Sequence, residues 1–180
     1  MRTITFRPTG RCRMHAYMNR AALILLALMI PFSLVVPGAS LAAAESVTGH
    51  ADFVTAGGFR FSYSLSAIRH ADGSVSGQFE NHVENAQTGE FLLNAHVRII
   101  CFTINGNVAR IGGFIERQTG LPLPPGVTEG FFTVVDNGEG DAASPDLASP
   151  PALGLALPHC ETGLPRPLFP ITRGNIQVRP

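Results

Sequence analysis

Two cysteines, Cys101 and Cys160, are the residues of this chain that could carry the widest range of chemistry. A thiolate can act as a nucleophile or metal ligand, and two cysteines can instead form a disulfide. Histidines lie near both, since His96 is five residues before Cys101 and His159 immediately precedes Cys160. Cys101, however, falls in the apolar phase of an alternating segment, where burial raises the pKa of a thiol and restricts access to it. We therefore predict a Cys101–Cys160 disulfide, with the two cysteine–histidine pairs as the reactive alternative.

Histidine is the second residue type here that could bind a metal ion. Five histidines are scattered through the chain after residue 44: His50, His70, His82, His96 and His159. A zinc site needs three or four converging ligands, and no two of these histidines have a close ligand spacing such as His-x-His. We predict that they lie on the surface or in turns, and we predict no metal and no cofactor.

The acidic segment DNGEGDAASPD offers oxygen ligands of the kind that calcium binds. Its candidate ligands are Asp136, Asn137, Glu139, Asp141 and Asp146. The segment departs from the EF-hand loop because it lacks the bidentate glutamate that ends that motif. Aspartate, asparagine and glycine are also the usual residues of turns. We expect a solvated turn, with calcium binding as the alternative.

The first 44 residues have the pattern of a secretory signal peptide. Five arginines precede an apolar run at residues 21–36, and a small-residue stretch follows at residues 39–44. The run is short for a membrane span of about 20 residues. We predict cleavage after Ala42 or Ala44, and Met18 is an alternative start. Because two cysteines in an exported domain usually form a disulfide, this reading agrees with the Cys101–Cys160 pairing.

The domain that remains after cleavage is negatively charged. The chain contains thirteen basic and thirteen acidic residues, but five of the arginines and none of the acids lie in the first 44 residues. The remaining eight arginines against thirteen acids give a formal charge of −5. Nucleic acids and anionic lipids both require a basic face. We therefore expect no nucleic-acid partner and no membrane association, and an unidentified extracellular ligand or protein as the partner.

Apolar and polar residues alternate along much of this domain, which is typical of β-strands. In FRFSYSLSA the odd-numbered residues are apolar, and Ala-Asp-Gly at residues 71–73 then predicts a hairpin turn. The odd apolar phase continues through residues 91–101 and returns at residues 109–115. A three-residue loop, Ile104-Asn105-Gly106, would place the odd-numbered apolar residues of both strands of the second hairpin on the same face of the sheet. It would also point Cys101 into the core.

These segments predict an all-β fold for residues 45–180. We expect one antiparallel meander of about six to eight strands, closed into a small barrel or, alternatively, folded as a β-sandwich. No segment after residue 44 has a convincing helical pattern, and the Pro- and Gly-rich region at about 137–169 should be irregular. Within it, we expect Leu155, Leu157 and Pro158 to hold Cys160 over the end of the core.

Four segments, in this order, resemble parts of a broad set of exported bacterial β-domain proteins. They are FSYSLSAIRHADGSVSGQFE, CFTINGNVARIGG, FFTVVDNGEG followed by SPD, and GNIQV. The resemblance implies export and an all-β fold. It implies no catalytic residues, because these proteins have no assigned activity.

The functional expectation rests on what the sequence contains and lacks. It has no Gly-x-Ser-x-Gly elbow, no Walker loop and no dinucleotide fingerprint. We predict a secreted or periplasmic, non-enzymatic β domain that acts as a binding or structural module. The first alternative is a lipocalin-like carrier of a small apolar ligand. The second is a secreted hydrolase that uses two carboxylates, such as Glu80 with Glu116.

Overall fold

The computed structural model describes residues 44–139 and 143–180, so the predicted signal peptide, apart from Ala44, lies outside the described residues. This part of the chain forms ten strands and one short helix. The strands are β1 (Ser46–Val54), β2 (Phe59–Arg69), β3 (Val75–Asn85), β4 (Phe91–Asn105), β5 (Val108–Gly120), β6 (Glu129–Val135), β7 (Leu147–Ala148), β8 (Ala152–Leu153), β9 (Phe169–Pro170) and β10 (Arg173–Arg179). The helix, α1 (Ala156–Thr162), lies between β8 and β9.

All ten strands belong to one antiparallel sheet that curls into a half-barrel. Strands β1 to β7 follow one another as a meander, and β10 returns to pair with β1. Strand β9 pairs with β7, and β8 pairs with β6. The all-β, barrel-like prediction is confirmed. The strand number is higher than expected because two-residue strands lie within the region that the sequence predicts to be irregular.

The β2–β3 hairpin forms as its alternating pattern predicts. Tyr63, Leu65 and Ala67 are buried on one face of β2, while the intervening serines point the other way. The turn closes where Asp72 accepts hydrogen bonds from the backbone N–H and the hydroxyl of Ser74. These bonds to Ser74 are the main cause of the lowered pKa of Asp72.

The β4–β5 hairpin has a shorter turn than the predicted three-residue loop. Asn105 pairs directly with Val108, so the turn consists of Gly106 and Asn107. Gly106 has a φ of 61°, and no non-glycine residue described has a positive φ. A positive φ at the first central residue alone is the pattern of a type II′ turn, which favours glycine there. The three-residue loop was therefore the wrong prediction.

The short turn would place the odd-numbered residues of β4 and β5 on opposite faces of the sheet. A β-bulge in β4 brings them back to the same face beyond Ile100. The register shifts between Ile99 and Cys101, which leaves Ile100 without a partner on β5. Ile99 and Phe102 consequently both belong to the main core. Cys101 is buried on the opposite face of the sheet, in a small cluster with Ala156 and Cys160. The prediction that Cys101 points into the barrel core is therefore wrong.

The concave face of the sheet carries an aromatic core. Tyr63 and Phe132 are packed against Phe79, with ring centroids 4.8 and 4.2 Å from it. The Tyr63 hydroxyl donates a hydrogen bond to the Ser149 carbonyl, so this buried polar group has a partner. Burial raises the pKa of Tyr63 well above its ordinary value, which keeps the side chain neutral.

Helix α1 was not predicted, and it packs on the outer face of the sheet against β4, β5 and β6. Ala156, His159 and Cys160 are buried, whereas Leu155 and Leu157 are 69% and 54% exposed. Pro158 is exposed as well, so the expectation that Leu155, Leu157 and Pro158 hold Cys160 over the end of the core is wrong.

Close contact between this helix and the sheet depends on one glycine. A Cβ added at Gly112 would lie 2.5 Å from the Cβ of Ala156. Only glycine at this point of β5 leaves room for the helix backbone.

Candidate functional site

The predicted disulfide between Cys101 and Cys160 is present, with the two Cα atoms 6.2 Å apart. This separation lies within the usual range for disulfides, about 4.4–6.8 Å. The bond joins β4 to α1, and both cysteines are buried. The pairing leaves neither residue as a free thiol for nucleophilic or metal chemistry.

His159 is a buried core residue, contrary to the expectation of a surface or turn histidine. Its ring stacks on Phe131 at a centroid distance of 4.6 Å, and its Nε2 lies 3.0 Å from the Phe132 carbonyl oxygen. Because a carbonyl only accepts, Nε2 carries the proton of the neutral ring. Desolvation is the largest cause of the lowered pKa of His159, and the charges of Arg110 and Arg166 act in the same direction, while the bond to Phe132 opposes them.

The other four histidines pair with neighbouring side chains on the polar side of the strands or in a turn. His50 lies 3.2 Å from Asp52, and His82 lies 3.8 Å from Glu84. His70 is hydrogen-bonded to Ser76 in the β2–β3 hairpin. Within residues 44–139 and 143–180, no group of three or more histidine, cysteine and acidic side chains is arranged to hold a metal ion.

The two carboxylates named for a hydrolase lie on the exposed face of the sheet. Glu80 on β3 is 3.0 Å from Nδ1 of His96, and Glu116 on β5 is 2.9 Å from Nε of Arg98. Each glutamate is thus paired with a residue of the intervening strand β4. Neither lines the apolar cavity described below.

Two of the calcium candidates act as hydrogen-bond acceptors for β10. Asp146 accepts the backbone N–H groups of Ile176 and Asn137, and Asp136 accepts those of Val178 and Gly138. Asp146 is only 6% exposed, so it is not part of a solvated turn as expected. These carboxylates link the two ends of the curled sheet, and we call this contact the seam.

The remaining calcium candidates have other partners or lie outside the described residues. Glu139 accepts hydrogen bonds from Asn175 and, more weakly, Gln177, both on β10. The Asn137 side chain donates to the carbonyl of Pro145. Asp141 lies outside the described residues.

An apolar cavity of about 450 Å³ that could bind a molecule lies on the concave side of the sheet. Its volume is within the range of about 300–1,000 Å³ usual for small-molecule sites. Apart from Asn81 and Gln118, the lining consists of aromatic, aliphatic, proline and glycine residues. These are Phe59, Phe61, Phe79, Val83, Leu92, Leu93, Ala95, Val97, Ile115, Leu121, Pro122, Leu123, Pro124, Gly130, Phe131, Phe132, Pro151, Ala152 and Leu153.

Strand register explains why this part of the sheet is hollow. Phe79, Val97 and Ile115 form one row across β3, β4 and β5. The next row consists of Asn81, Ala95 and Gln118. Ala95 has the smallest side chain of this second row, so it leaves space for the cavity above the central strand β4.

The cavity opens to solvent at an apolar rim. Phe59 at the start of β2, Leu121 after β5 and Leu153 on β8 all line the cavity, and they are 44%, 59% and 48% exposed. The floor residues Phe79 and Phe132 are buried. An apolar molecule would therefore enter past exposed side chains and become covered as it moves inward.

Sequence reasoning did not identify Asn81, the most buried polar side chain of the cavity. It lies in the same odd phase as Phe79 and Val83, at an inward-facing position of β3. A polar residue within the apolar phase of an alternating strand was the available signal. Gln118, the other polar lining residue, donates to the Leu121 carbonyl.

No family model, curated protein or solved structure matches this sequence. The resemblance to exported bacterial β-domain proteins therefore stays a prediction. Among residues 44–139 and 143–180, no helix has the length and apolar character needed to cross a membrane.

Proposed function

We propose that this protein is a binding module that takes a small, uncharged, largely apolar molecule into the cavity of its half-barrel. The observation that carries the proposal is the cavity itself, which has an apolar lining, a buried floor and an exposed rim. This conclusion combines the expected binding module with its carrier alternative.

The charge distribution supports an uncharged ligand. Of the residues that the structure describes, no Asp, Glu, Arg or His lines the cavity. An ion moved from water into such a site would lose its hydration and gain no opposite charge. An apolar molecule would instead gain about 25 cal/mol for each Å² of apolar surface that it buries.

We further infer that this binding takes place outside the cytoplasm. The buried disulfide is typical of proteins that fold in an oxidising compartment. The charge and hydropathy pattern of residues 1–44 supports export by a cleaved signal peptide. N-terminal sequencing of the exported protein should find a start near Ala43 or Glu45, and recovery of only uncleaved chain would contradict cleavage.

Binding can be tested with the neutral fluorescent dye Nile red. We expect saturable binding to the wild-type protein, with the blue-shifted emission of the dye in an apolar site. Ala95→Phe places a ring in the centre of the cavity floor and should weaken dye binding by about tenfold or more. Ala71→Phe is the matched control, because it makes the same change in the exposed β2–β3 turn and should leave binding unchanged.

Thermal melting must show that each variant is folded, and Ala95→Leu provides a smaller obstruction should Ala95→Phe not fold. Unchanged dye affinity in a folded Ala95→Phe or Ala95→Leu protein would contradict binding in this cavity. Equal losses in Ala95→Phe and Ala71→Phe would do the same, since the effect would not depend on the site.

A further inference from the structure

Asn81 has a property that the rest of the cavity lacks. The residue is 3% exposed, and its Oδ1 atom is buried without a hydrogen-bond partner among the described residues. Native proteins satisfy most buried polar side-chain atoms, because an unpaired buried acceptor is destabilising. A polar atom left unpaired in the lining of an apolar cavity is therefore a candidate ligand contact.

The residues beside Asn81 explain why the protein itself supplies no partner. Tyr63 lies opposite Asn81 on β2, but its hydroxyl donates to the Ser149 carbonyl. On the other side, Ala95 of β4 has no polar side-chain atom. Phe79 and Val83 are the neighbouring inward-facing residues along β3. None of these four neighbours therefore supplies a donor for Oδ1, and Asn81 itself lines the cavity.

We propose that Asn81 determines ligand specificity by accepting a hydrogen bond from a hydroxyl or amide N–H group of a neutral amphiphile. The apolar part of such a molecule extends from Asn81 along the cavity towards the rim at Phe59, Leu121 and Leu153. This inference rests on the proposed function, since it assigns the ligand class for the same cavity.

A neutral donor fits this position better than a carboxylate does. A carboxylate only accepts hydrogen bonds, and the Oδ1 atom of Asn81 is also an acceptor. The lining residues in the described part of the chain include no cation that could offset the lost hydration of an anionic head group. An alcohol or a primary or secondary amide supplies the donor without adding a charge.

The test compares decanol with methyl decyl ether, which has the same alkyl chain and no hydrogen-bond donor. Both are measured by displacement of Nile red. Because a neutral hydrogen bond contributes about 0.5–1.5 kcal/mol, wild-type protein should prefer the alcohol by about three- to tenfold. Asn81→Leu should remove this preference and retain ether binding.

Gln78→Leu is the matched control, since it replaces an amide by leucine at an exposed position of the same strand, outside the cavity lining, and should retain the preference for decanol. Asn81→Leu should also melt at a higher temperature without ligand, because it removes an unpaired buried acceptor. Asn81→Val is the second variant should Asn81→Leu not fold.

The possible failures separate the two proposals. If wild-type protein binds none of the three probes, the proposed function fails. If it binds Nile red, decanol and the ether but does not distinguish the last two, only the role of Asn81 fails. A preference for decanol that persists in a folded Asn81→Leu or Asn81→Val protein would also overturn that role, as would tighter binding of decanoate than of decanol.

Discussion

Among the described residues, Asp52, Asn81, His159 and Arg166 each have one buried polar side-chain atom without a hydrogen-bond partner, and of these four residues Asn81 and His159 are buried as a whole. Asn81 lies in the cavity lining, whereas His159 belongs to helix α1, packs against Phe131 of the sheet and does not line the cavity. Stacking on Phe131 and the Nε2 contact with Phe132 fix the orientation of the His159 ring, and in this orientation Nδ1 has no partner. We therefore assign Asn81 to ligand binding and His159 to stability.

At the residue scale, His159 should make folding stability depend on pH. Burial lowers its folded pKa below the ordinary value, so the unfolded state binds the proton more readily. This contribution to stability is fully present above the unfolded pKa of about 6.5 and is lost as the pH falls through it towards the lower folded pKa. The loss can reach about 1.4 kcal/mol per pH unit.

Urea denaturation at pH 7, 6 and 5 should reveal this loss in the wild-type protein. His159→Gln retains a neutral donor for the Phe132 carbonyl and should flatten the pH dependence in this interval. His96→Gln is the control, because His96 is paired with Glu80 on the polar face and is not fully buried. Identical slopes in wild-type and His159→Gln proteins would rule out the role assigned to His159.

At the scale of elements, the seam covers one edge of β10. Side-chain carboxylates accept hydrogen bonds there in place of the backbone carbonyls of a neighbouring strand. Strand β10 pairs with β1 on one side, and on the other its N–H groups at Ile176 and Val178 bond to Asp146 and Asp136. The exposed hydrogen-bonding edge of a strand is an aggregation hazard unless it is covered. The acidic segment that suggested calcium therefore covers the edge of β10.

Asp146→Ala should destabilise the domain by about 2–4 kcal/mol, because it leaves two backbone N–H groups without acceptors. Glu139→Ala is the matched control from the same acidic segment. Glu139 is exposed and bonds only to side chains, so its loss should change the free energy of unfolding by about 0.5 kcal/mol or less. Urea denaturation measures both, and equal effects of the two substitutions would refute the seam.

The sequence predicts the alternating strands well and their interruptions poorly. The β2–β3 hairpin follows from the alternation of apolar and polar residues and from a turn motif, both of which are features of neighbouring residues in the sequence. The bulge at Ile100 depends on the length of a turn further along the chain, and it reverses the face on which Cys101 lies. Helix α1 has only seven residues and contains a proline, so its existence depends on packing over Gly112.

The cavity could be predicted only in part. The inward phase of β3 places Asn81 among apolar residues, which is visible in the sequence. The walls contributed by residues 121–124 and 151–153 come from segments without periodicity, and their position depends on tertiary contacts. Sequence patterns therefore identify the floor of the site and miss its walls.

At the scale of the whole molecule, one disulfide attaches the irregular C-terminal region to the sheet. The Cys101–Cys160 bond spans 59 residues, and loop-closure entropy gives it a stabilisation of about 4 kcal/mol. Cys101→Ser and Cys160→Ser should each lower the free energy of unfolding by about 2–5 kcal/mol. The double variant should lose little more than either single one, because the same bond is removed in each case.

Chemical denaturation of the three variants tests this, and mass-tagging of thiols in the unreduced protein is the independent check. Two free thiols in protein recovered from an oxidising compartment would contradict the bond. Additive losses in the double variant would show that the cysteines act separately.

The most direct test of ligand binding is a crystal structure of the protein with ω-bromodecanol, in which anomalous scattering locates the bromine. We predict one bromine peak inside the cavity, towards the rim formed by Phe59, Leu121 and Leu153, with the ligand hydroxyl about 2.7–3.0 Å from Oδ1 of Asn81. A bromine peak in the cavity with the hydroxyl elsewhere would contradict the role of Asn81 alone. A cavity without ligand at saturating concentration, or one filled by its own side chains, would contradict the proposed function.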